Sequence, residues 1–408
     1  MVMALYAGSN FILVPVLLKV LGERNFGIYM MLYSIAQYMS IGVGWLGGVG
    51  IRLIGVYEAK RDYKKLQEII MLVFYYFLIY GVIIFIGFGV FGLVWGDNLN
   101  LKIAIFIFGA YLLFNYMLQA IVNILFSLNR QVISNILKSI PVIFYTLFAI
   151  FFLKYWRKDI ISPVVALLLS VFIMIPIVIK EGSKLRCFGN PLNIEKQTVK
   201  EAFFSVGLWN FLCGLFSVSL VQDKIFLGIV VSPEAVAKFT VLWTIPNFLI
   251  LLLQRISGVL QPYFVRYSEK NIGKLKKVFL KNLGTVITIA FIFSLVYSFF
   301  GERIIQLWIG KSIRFSSHYA FLIAGLLILF LATDSVFSSF VFSVGKFKNW
   351  AVILMIIVFS KYIIGFILSQ KIFELSTLLS SIVSLPIGFI LYLMIIKRYL
   401  YERSQELL

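Results

Sequence analysis

Five ionisable residues lie well inside long apolar segments, where a charge is costly. They are Asp223, Lys224, Arg255, Asp334 and Lys361. An ionisable side chain at membrane depth costs several kcal/mol, so it usually faces a partner or a water-filled cavity. Cations at such positions can bind anionic groups, and carboxylates can carry protons or metal cations. The predicted chemistry is therefore binding of charged ligands within a membrane.

Of these residues, Arg255 is the best candidate for an anion ligand. Arg255 stays charged, and its planar guanidinium binds phosphate oxygens in a fork. We expect it to line a cavity, with a structural salt bridge as the alternative. Asp223 and Lys224 are adjacent in sequence and point about 100° apart on a helix, so they cannot both face one pore. One can face the cavity while the other pairs with a neighbouring helix.

The remaining two, Asp334 and Lys361, have two interpretations. They can simply pair with each other, which gives them a structural role. Otherwise Asp334 is the best candidate for a carrier of a proton or another cation. Arg52, at the cytoplasmic end of the second apolar segment, is either an anchor that reaches the headgroups or a cation at the cavity mouth.

A neutral polar stripe occupies the fourth apolar segment. Asn115, Gln119 and Asn123 recur at i, i+4 and i+8 and therefore share one helix face. Hydrogen bonds between helices would explain this stripe. A polar wall along a transport path is the alternative.

The segments that must position these residues are membrane helices. Hydrophobic residues form 61% of the 408 residues and charged residues 13%, against roughly 45–50% and about 25% in soluble domains. A helix needs about 20 apolar residues to cross the hydrocarbon core. The predicted spans are 2–21, 27–48, 69–95, 101–125, 136–153, 161–179, 203–230, 236–260, 280–300, 318–343, 350–369 and 376–396. The predicted fold class is an all-α integral membrane protein with about twelve transmembrane helices.

The twelve segments form two similar sets of six. Val20–Ile35 aligns with Val230–Ile245 at an offset of 210, and FSLNR at Phe126–Arg130 echoes FSVGK at Phe342–Lys346 at an offset of 216. Internal symmetry of this kind is common in secondary transporters. It predicts an N-terminal six-helix lobe, 1–190, and a C-terminal six-helix lobe, 191–408. All five embedded charges fall in the second lobe, which suggests that one lobe was specialised for function.

The distribution of cations predicts the orientation. With both termini in the cytoplasm, 23 of the 37 Lys and Arg residues lie in cytoplasmic segments and 11 on the opposite side. The positive-inside rule favours this arrangement. The net charge of +20 then follows from loops that face anionic membrane lipids. Because the cations are spread over short loops, a nucleic-acid partner is not expected.

Signals for catalysis or for a metal site are weak. His318 is the only histidine, and neither Cys187 nor Cys213 has the spacing of a metal ligand or implies a disulfide. No phosphate-binding loop or paired-carboxylate pattern stands out. We therefore expect no catalytic residue, no cofactor and no metal, and a protein that is not an enzyme.

Three motifs carry a family resemblance. LGERNFGIY at Leu21–Tyr29, QDKIFLGIVVSPEAVAKF at Gln222–Phe239 and GERIIQLWIGKSI at Gly301–Ile313 resemble, in this order, motifs of polysaccharide flippases of the MOP superfamily. The closest likeness is to Wzx-type flippases of O-antigen or capsular repeat units. Arg24-Asn25 and Ala237-Lys238-Phe239 depart from the family pattern.

The resemblance implies two six-helix lobes around a central cavity lined by the first, second, seventh and eighth helices. It implies alternating access that moves an undecaprenyl-diphosphate-linked oligosaccharide, as in lipopolysaccharide or capsule biosynthesis, from the cytoplasmic to the outer leaflet of a bacterial inner membrane. Arg52, Lys224 and Arg255 would then lie on cavity helices and bind the diphosphate. Coupling to H⁺ or Na⁺ and partnership with other glycan-assembly proteins are further implications.

Two alternatives remain at this stage. A multidrug and toxin extrusion transporter of the same superfamily would favour acidic cavity groups, whereas the embedded charges here include three cations and two acids. A polysaccharide polymerase or ligase is a membrane enzyme that usually has a large outer loop. The longest predicted outer loop, Gly301–Ser317, is short, and the two-lobe repeat is unexplained by that function.

Overall fold

The computed structural model describes residues 2–128, 130–189, 195, 207–310, 315, 319–372 and 375–406. These residues form helices and, among them, no strand. The helices are α1 (Val2–Lys60), α2 (Tyr63–Trp95), α3 (Leu99–Ser127), α4 (Gln131–Tyr155), α5 (Ile161–Phe172), α6 (Ile175–Lys184), α7 (Gly207–Val221), α8 (Lys224–Val230), α9 (Pro233–Val259), α10 (Gln261–Lys270), α11 (Ile272–Ile309), α12 (Ala320–Ser343), α13 (Phe347–Ile372) and α14 (Ser376–Glu406).

The chain is a multi-pass membrane protein. Within the described ranges, nine helical spans are long and apolar enough to cross a membrane, and a tenth is formed if the bent pair α7 and α8 counts as one. The long helix α1 is not among these, although it contains the first two predicted spans on either side of Gly22, where the backbone leaves helical geometry at φ 73° and ψ 169°. The all-α membrane fold is confirmed, and the count of twelve stays a prediction.

The helices are grouped in two compact units, 1–214 and 215–408. The division falls inside α7, between Gly214 and Leu215. The lobe boundary predicted between residues 190 and 191 lies outside the described residues.

The first unit is built around α3, which packs against α2, α4, α5 and α6. Two pairs of hydroxyl groups join α1 to α4: Ser9 to Thr146 at 2.6 Å and Tyr29 to Tyr145 at 2.6 Å. Hydrogen bonds between uncharged side chains are a common way to join helices in a membrane.

Two glycines let α1 approach α2 closely. A Cβ atom on Gly42 would lie 2.6 Å from the Tyr80 hydroxyl, and one on Gly50 would lie 2.5 Å from a Val73 methyl group. The Tyr80 hydroxyl also donates a hydrogen bond of 2.7 Å to the Met39 carbonyl. Small residues at helix contacts allow such close packing in a membrane, where van der Waals contact drives association.

The segment after α6 is bound to α2 by polar contacts. Gln67 donates to the Arg186 carbonyl at 2.5 Å, and Lys64 forms an ion pair with Glu195 at 2.9 Å. The hydrogen bond from Lys64 and its positive charge lower the pKa of the Glu195 carboxyl. The described part of the segment that follows α6 therefore belongs structurally to the first unit.

The second unit is built around α12, which packs against α9, α10, α11, α13 and α14. Its plan repeats that of the first unit. α3 ends at Ser127 and α12 at Ser343, which preserves the offset of 216 found between the two matching sequence motifs. α2 and α11 begin with equivalent caps, because Asp62 and Asn271 each accept a hydrogen bond from the amide three residues later.

The loop predicted from Gly301 to Ser317 is partly helical, which corrects the sequence-based boundary. α11 continues through its first half to Ile309, and a side-chain hydrogen bond of 3.1 Å from Gln306 to Glu302, one turn apart, accompanies this extension. Gly310, at φ 74°, then ends the helix in a conformation that glycine adopts readily.

Candidate functional site

The seventh predicted span is broken where two of the embedded charges lie. α7 ends at Val221, α8 begins at Lys224, and the two axes differ by 59°. The last helical hydrogen bond before the break runs from the Gln222 amide to the Val218 carbonyl, at 3.0 Å. The first one after it runs from the Leu227 amide to the Asp223 carbonyl, at 2.9 Å. A continuous helix would also use the four carbonyls in between, those of Ser219, Leu220, Val221 and Gln222.

Two adjacent side chains of α13 bind the first two of these four carbonyls. The Tyr362 hydroxyl donates to the Ser219 carbonyl at 2.9 Å, and Lys361 Nζ donates to the Leu220 carbonyl at 2.5 Å. A backbone group left without a partner at membrane depth costs several kcal/mol, and broken membrane helices persist where neighbouring helices satisfy the freed groups. The break is therefore a stabilised part of the fold.

The same lysine is paired with Asp223. Lys361 Nζ lies 2.5 Å from Asp223 Oδ1, and both side chains are buried, with exposed fractions of 0% and 4%. The predicted option of a pair between Asp334 and Lys361 is wrong, because Asp223 lies beside the lysine at the helix break. Of Asp223 and Lys224, it is Asp223 that pairs with a neighbouring helix.

Packing holds α8 against α13 around this ion pair. The rings of Phe226 and Tyr362 lie 5.4 Å apart between centroids. A Cβ atom on Gly365, one turn after Lys361, would meet Ser380 Oγ at 3.2 Å and the Phe226 ring at 3.7 Å. The small size of Gly365 thus lets α8 and α14 both approach α13.

Lys224, the first residue of α8, lies on a different side of that helix. At about 100° per residue it is rotated about 100° from Asp223 and about 160° from Phe226, the two residues that contact α13. Its side chain is half-buried. Among the described residues, no carboxylate forms an ion pair with it. Lys224 therefore projects away from α13 as a cation that Asp223 does not neutralise.

The other two predicted cations lie on long helices. Arg255 is exposed on α9, one turn before its end at Val259. Arg52 lies on α1, which continues for about two more turns to Lys60. The side chain of Arg52 lies outside the described part of the structure.

Asp334 forms a separate buried site in the second unit. It lies on α12 with an exposed fraction of 6%, and the Tyr392 side chain of α14 approaches its carboxyl group. Its Oδ1 atom is buried without a hydrogen-bond partner among the described residues. The Tyr392 ring stacks on Phe337 at 5.7 Å. Asp334 is thus a buried carboxyl group with a tyrosine beside it.

The neutral stripe lies where the pattern predicts. Asn115, Gln119 and Asn123 are all on α3, and each is half-buried. Within the described parts of the chain, no three His, Cys, Asp or Glu side chains come close enough together to hold a metal ion.

Sequence reasoning missed the two tyrosines beside the buried charges. Tyr362 directly follows Lys361, and that proximity was the available signal. The helix break itself had no signal, because Gln222, Asp223 and Lys224 include neither proline nor glycine. Tyr392 lies far from Asp334 in sequence and is brought to it by the packing of α14 on α12.

Comparisons with known proteins agree with this architecture. The chain is similar to a multidrug resistance MATE family transporter of the MOP superfamily in its inward-facing conformation, with 15% identity, a TM-score of 0.79 and coverage of 97% of this chain and 95% of that chain. It is also similar to an outward-facing MATE family transporter, with 12% identity, a TM-score of 0.72 and coverage of 99% and 94%. A MOP superfamily transporter from Pyrococcus furiosus Vc1, described as having a binding pocket of reverse polarity, gives 15% identity, a TM-score of 0.65 and coverage of 98% and 93%.

Sequence comparison identifies the family. No curated protein matches the chain, whereas the family described as polysaccharide biosynthesis protein matches residues 1–268, which is well over half of the 408 residues. The chain therefore belongs to the polysaccharide biosynthesis protein family and has the fold of MOP superfamily transporters.

Proposed function

We propose that this protein flips an undecaprenyl-diphosphate-linked oligosaccharide, an O-antigen or capsular repeat unit, from the cytoplasmic to the outer leaflet by alternating access. Its place is a bacterial inner membrane, with both termini in the cytoplasm. Membership of the polysaccharide biosynthesis family supports a glycan as cargo. In this proposal, 1–190 and 191–408 are the two six-helix lobes that the repeated sequence predicts.

The observation that carries the proposal is the state of Lys224. It is a half-buried cation at a helix break, and the adjacent carboxylate of Asp223 is neutralised by Lys361 instead. A diphosphate crossing a region of low dielectric needs cationic hydrogen-bond donors. Lys224, Arg255 and Arg52 would supply them, while Asn115, Gln119 and Asn123 would form a polar wall for the sugar.

The charge balance argues against export of organic cations. Because Asp223 is paired with Lys361, Asp334 is the other embedded acid that could couple transport to an ion. We propose that it carries H⁺ or Na⁺. The P. furiosus transporter, of the same fold, is described as having a pocket of reverse polarity that suggests a different function. That description supports the idea that pocket charge in this fold follows the cargo. Other glycan-assembly proteins are proposed partners.

The test is leaflet-resolved detection of the lipid-linked glycan in cells with the protein, without it, and with Lys224→Ala or Arg255→Ala. We expect the glycan to stay on the cytoplasmic side without the protein and outer-leaflet glycan to fall at least tenfold in both variants. Lys397→Ala, which removes an exposed cation from α14, is the matched control. Wild-type levels of flipped glycan in both well-expressed variants would show that the headgroup site is wrong. Export of an organic cation with no effect on the glycan would favour the multidrug transporter.

A further inference from the structure

Lys361 is completely buried and contacts two different groups. It donates to the Leu220 carbonyl at 2.5 Å and pairs with Asp223 at 2.5 Å. The hydrogen bond from Lys361 to the Leu220 carbonyl does not itself require a carboxylate beside the lysine. The presence of the Asp223 carboxylate beside Lys361 needs a separate explanation. A buried charge pair is costly to desolvate and often stabilises a protein no more than apolar packing would.

The position of Asp223 relative to Lys224 supplies that explanation. Two opposite charges on adjacent residues at membrane depth would attract each other strongly in a medium of low dielectric. An Asp223 carboxylate without another partner would therefore compete with any anionic ligand for Lys224. Because Lys361 occupies the carboxylate from the α13 side, Lys224 keeps its charge for a ligand on the other side of α8.

We infer that Lys361 is a positioning residue that sets the charge of the headgroup site by sequestering Asp223. It touches no ligand itself and acts through Asp223 on Lys224. The ligand class is a lipid-linked diphosphate, so the inference rests on the proposed function. Beyond that function, the inference states that the net charge around Lys224 depends on Lys361 of α13, which is distant in sequence.

This role predicts opposite effects from the two partners of the ion pair. Lys361→Met leaves Asp223 free to neutralise Lys224, so diphosphate binding should weaken. Asp223→Asn removes the competing carboxylate, so binding should stay the same or become tighter. A residue that served only to hold the fold would weaken binding in both variants, since each leaves one buried charge without its partner.

The experiment measures the affinity of the purified, detergent-solubilised full chain for farnesyl diphosphate by calorimetry, with farnesol as the uncharged control. We expect a loss of at least tenfold for Lys361→Met, no loss for Asp223→Asn, and recovery to within about threefold of wild type in the double variant Asp223→Asn/Lys361→Met. Lys397→Met controls for an unspecific loss of positive charge. Affinities are compared per folded protein, as determined from the monodisperse fraction in size-exclusion chromatography.

The outcomes separate the two proposals. Equal weakening by Lys361→Met and Asp223→Asn overturns the role of Lys361. If Lys361→Met does not fold, the double variant decides, because it leaves no uncompensated charge: a loss above tenfold in the folded double variant also overturns the role. Unchanged affinity in Lys224→Met, or binding of farnesol as tight as that of farnesyl diphosphate in wild type, overturns the headgroup site of the proposed function itself.

Discussion

The Tyr362 hydroxyl donates a hydrogen bond of 2.9 Å to the Ser219 carbonyl, one of the carbonyls freed where the seventh span breaks. Tyr362→Phe removes this donor and keeps the ring contact with Phe226. Leaving a buried acceptor unsatisfied costs about 1–3 kcal/mol. We expect the free energy of unfolding to fall by about that amount in thermal or denaturant unfolding.

The control for this loss is Tyr263→Phe, which removes a hydroxyl from a side chain that is 49% exposed on α10. It should leave unfolding nearly unchanged. Equal stability of Tyr362→Phe and Tyr263→Phe would mean that the break needs no cap from α13.

The buried ion pair predicts a characteristic pattern of stability. Lys361→Met or Asp223→Asn alone should lower the free energy of unfolding by about 3–5 kcal/mol, because either one leaves a buried charge uncompensated. The double variant should recover most of that loss. Denaturant unfolding of the three variants checks this pattern, and additive losses in the double variant would contradict the pairing.

Asp334 is expected to couple transport to an ion gradient. In proteoliposomes, Asp334→Asn should bind cargo but respond at least tenfold less to an imposed H⁺ or Na⁺ gradient than wild type does. Glu302→Gln, at an exposed acid of α11, should respond normally. A gradient response retained in full by Asp334→Asn would exclude this residue as the carrier.

Two glycines of α1 form a matched pair for testing helix packing. A Cβ atom on Gly42 would overlap Tyr80, which is held by its bond to Met39 and by stacking on Tyr76. Overpacking of this kind costs about 1–3 kcal/mol. Gly44, two residues later, has no atom within 4 Å of its added Cβ, so Gly44→Ala should be neutral or slightly stabilising. Thermal unfolding of both variants measures the difference.

The contact between Lys64 and Glu195 should depend on pH. The pKa of the Glu195 carboxyl is lower in the folded protein because Lys64 donates to it and is positively charged. Its stabilising effect is thus fully present above the ordinary glutamate pKa of about 4.3 and is lost as the pH falls through the lower, folded value.

Hydrogen exchange at the Glu195 amide, which donates to Glu68 at 3.3 Å, reports on this contact. Protection, corrected for the intrinsic rate, should fall on acidification in wild type and should already be low and flat in Glu195→Gln. The same pH response in both proteins would rule out this ion pair as its cause.

The sequence predicted the features that depend on repeated patterns. Long apolar segments gave the membrane fold, and the echo between Phe126–Arg130 and Phe342–Lys346 reappears as equivalent ends of α3 and α12. The partner of Lys361 could not be predicted, since side-chain pairing across the unit depends on the bend of α7 against α8. The residues at the bend include no proline or glycine that would predict it. The bend is stabilised by side chains of α13, which are distant in sequence.

The hydroxyl pairs that join α1 to α4 have a consequence for the membrane potential. Ser9 with Thr146 and Tyr29 with Tyr145 carry no net charge, so their rearrangement would move no net charge through the membrane field. In the second unit, one elementary charge moved across the field changes the energy by about 2.3 kcal/mol per 100 mV. The pair of Asp223 and Lys361 is neutral as a whole, whereas Lys224 would be balanced only by the anionic headgroup of the proposed cargo. If the proposed function holds, a voltage across the bilayer would therefore act differently on the carrier with and without its cargo, through the charges of the second unit.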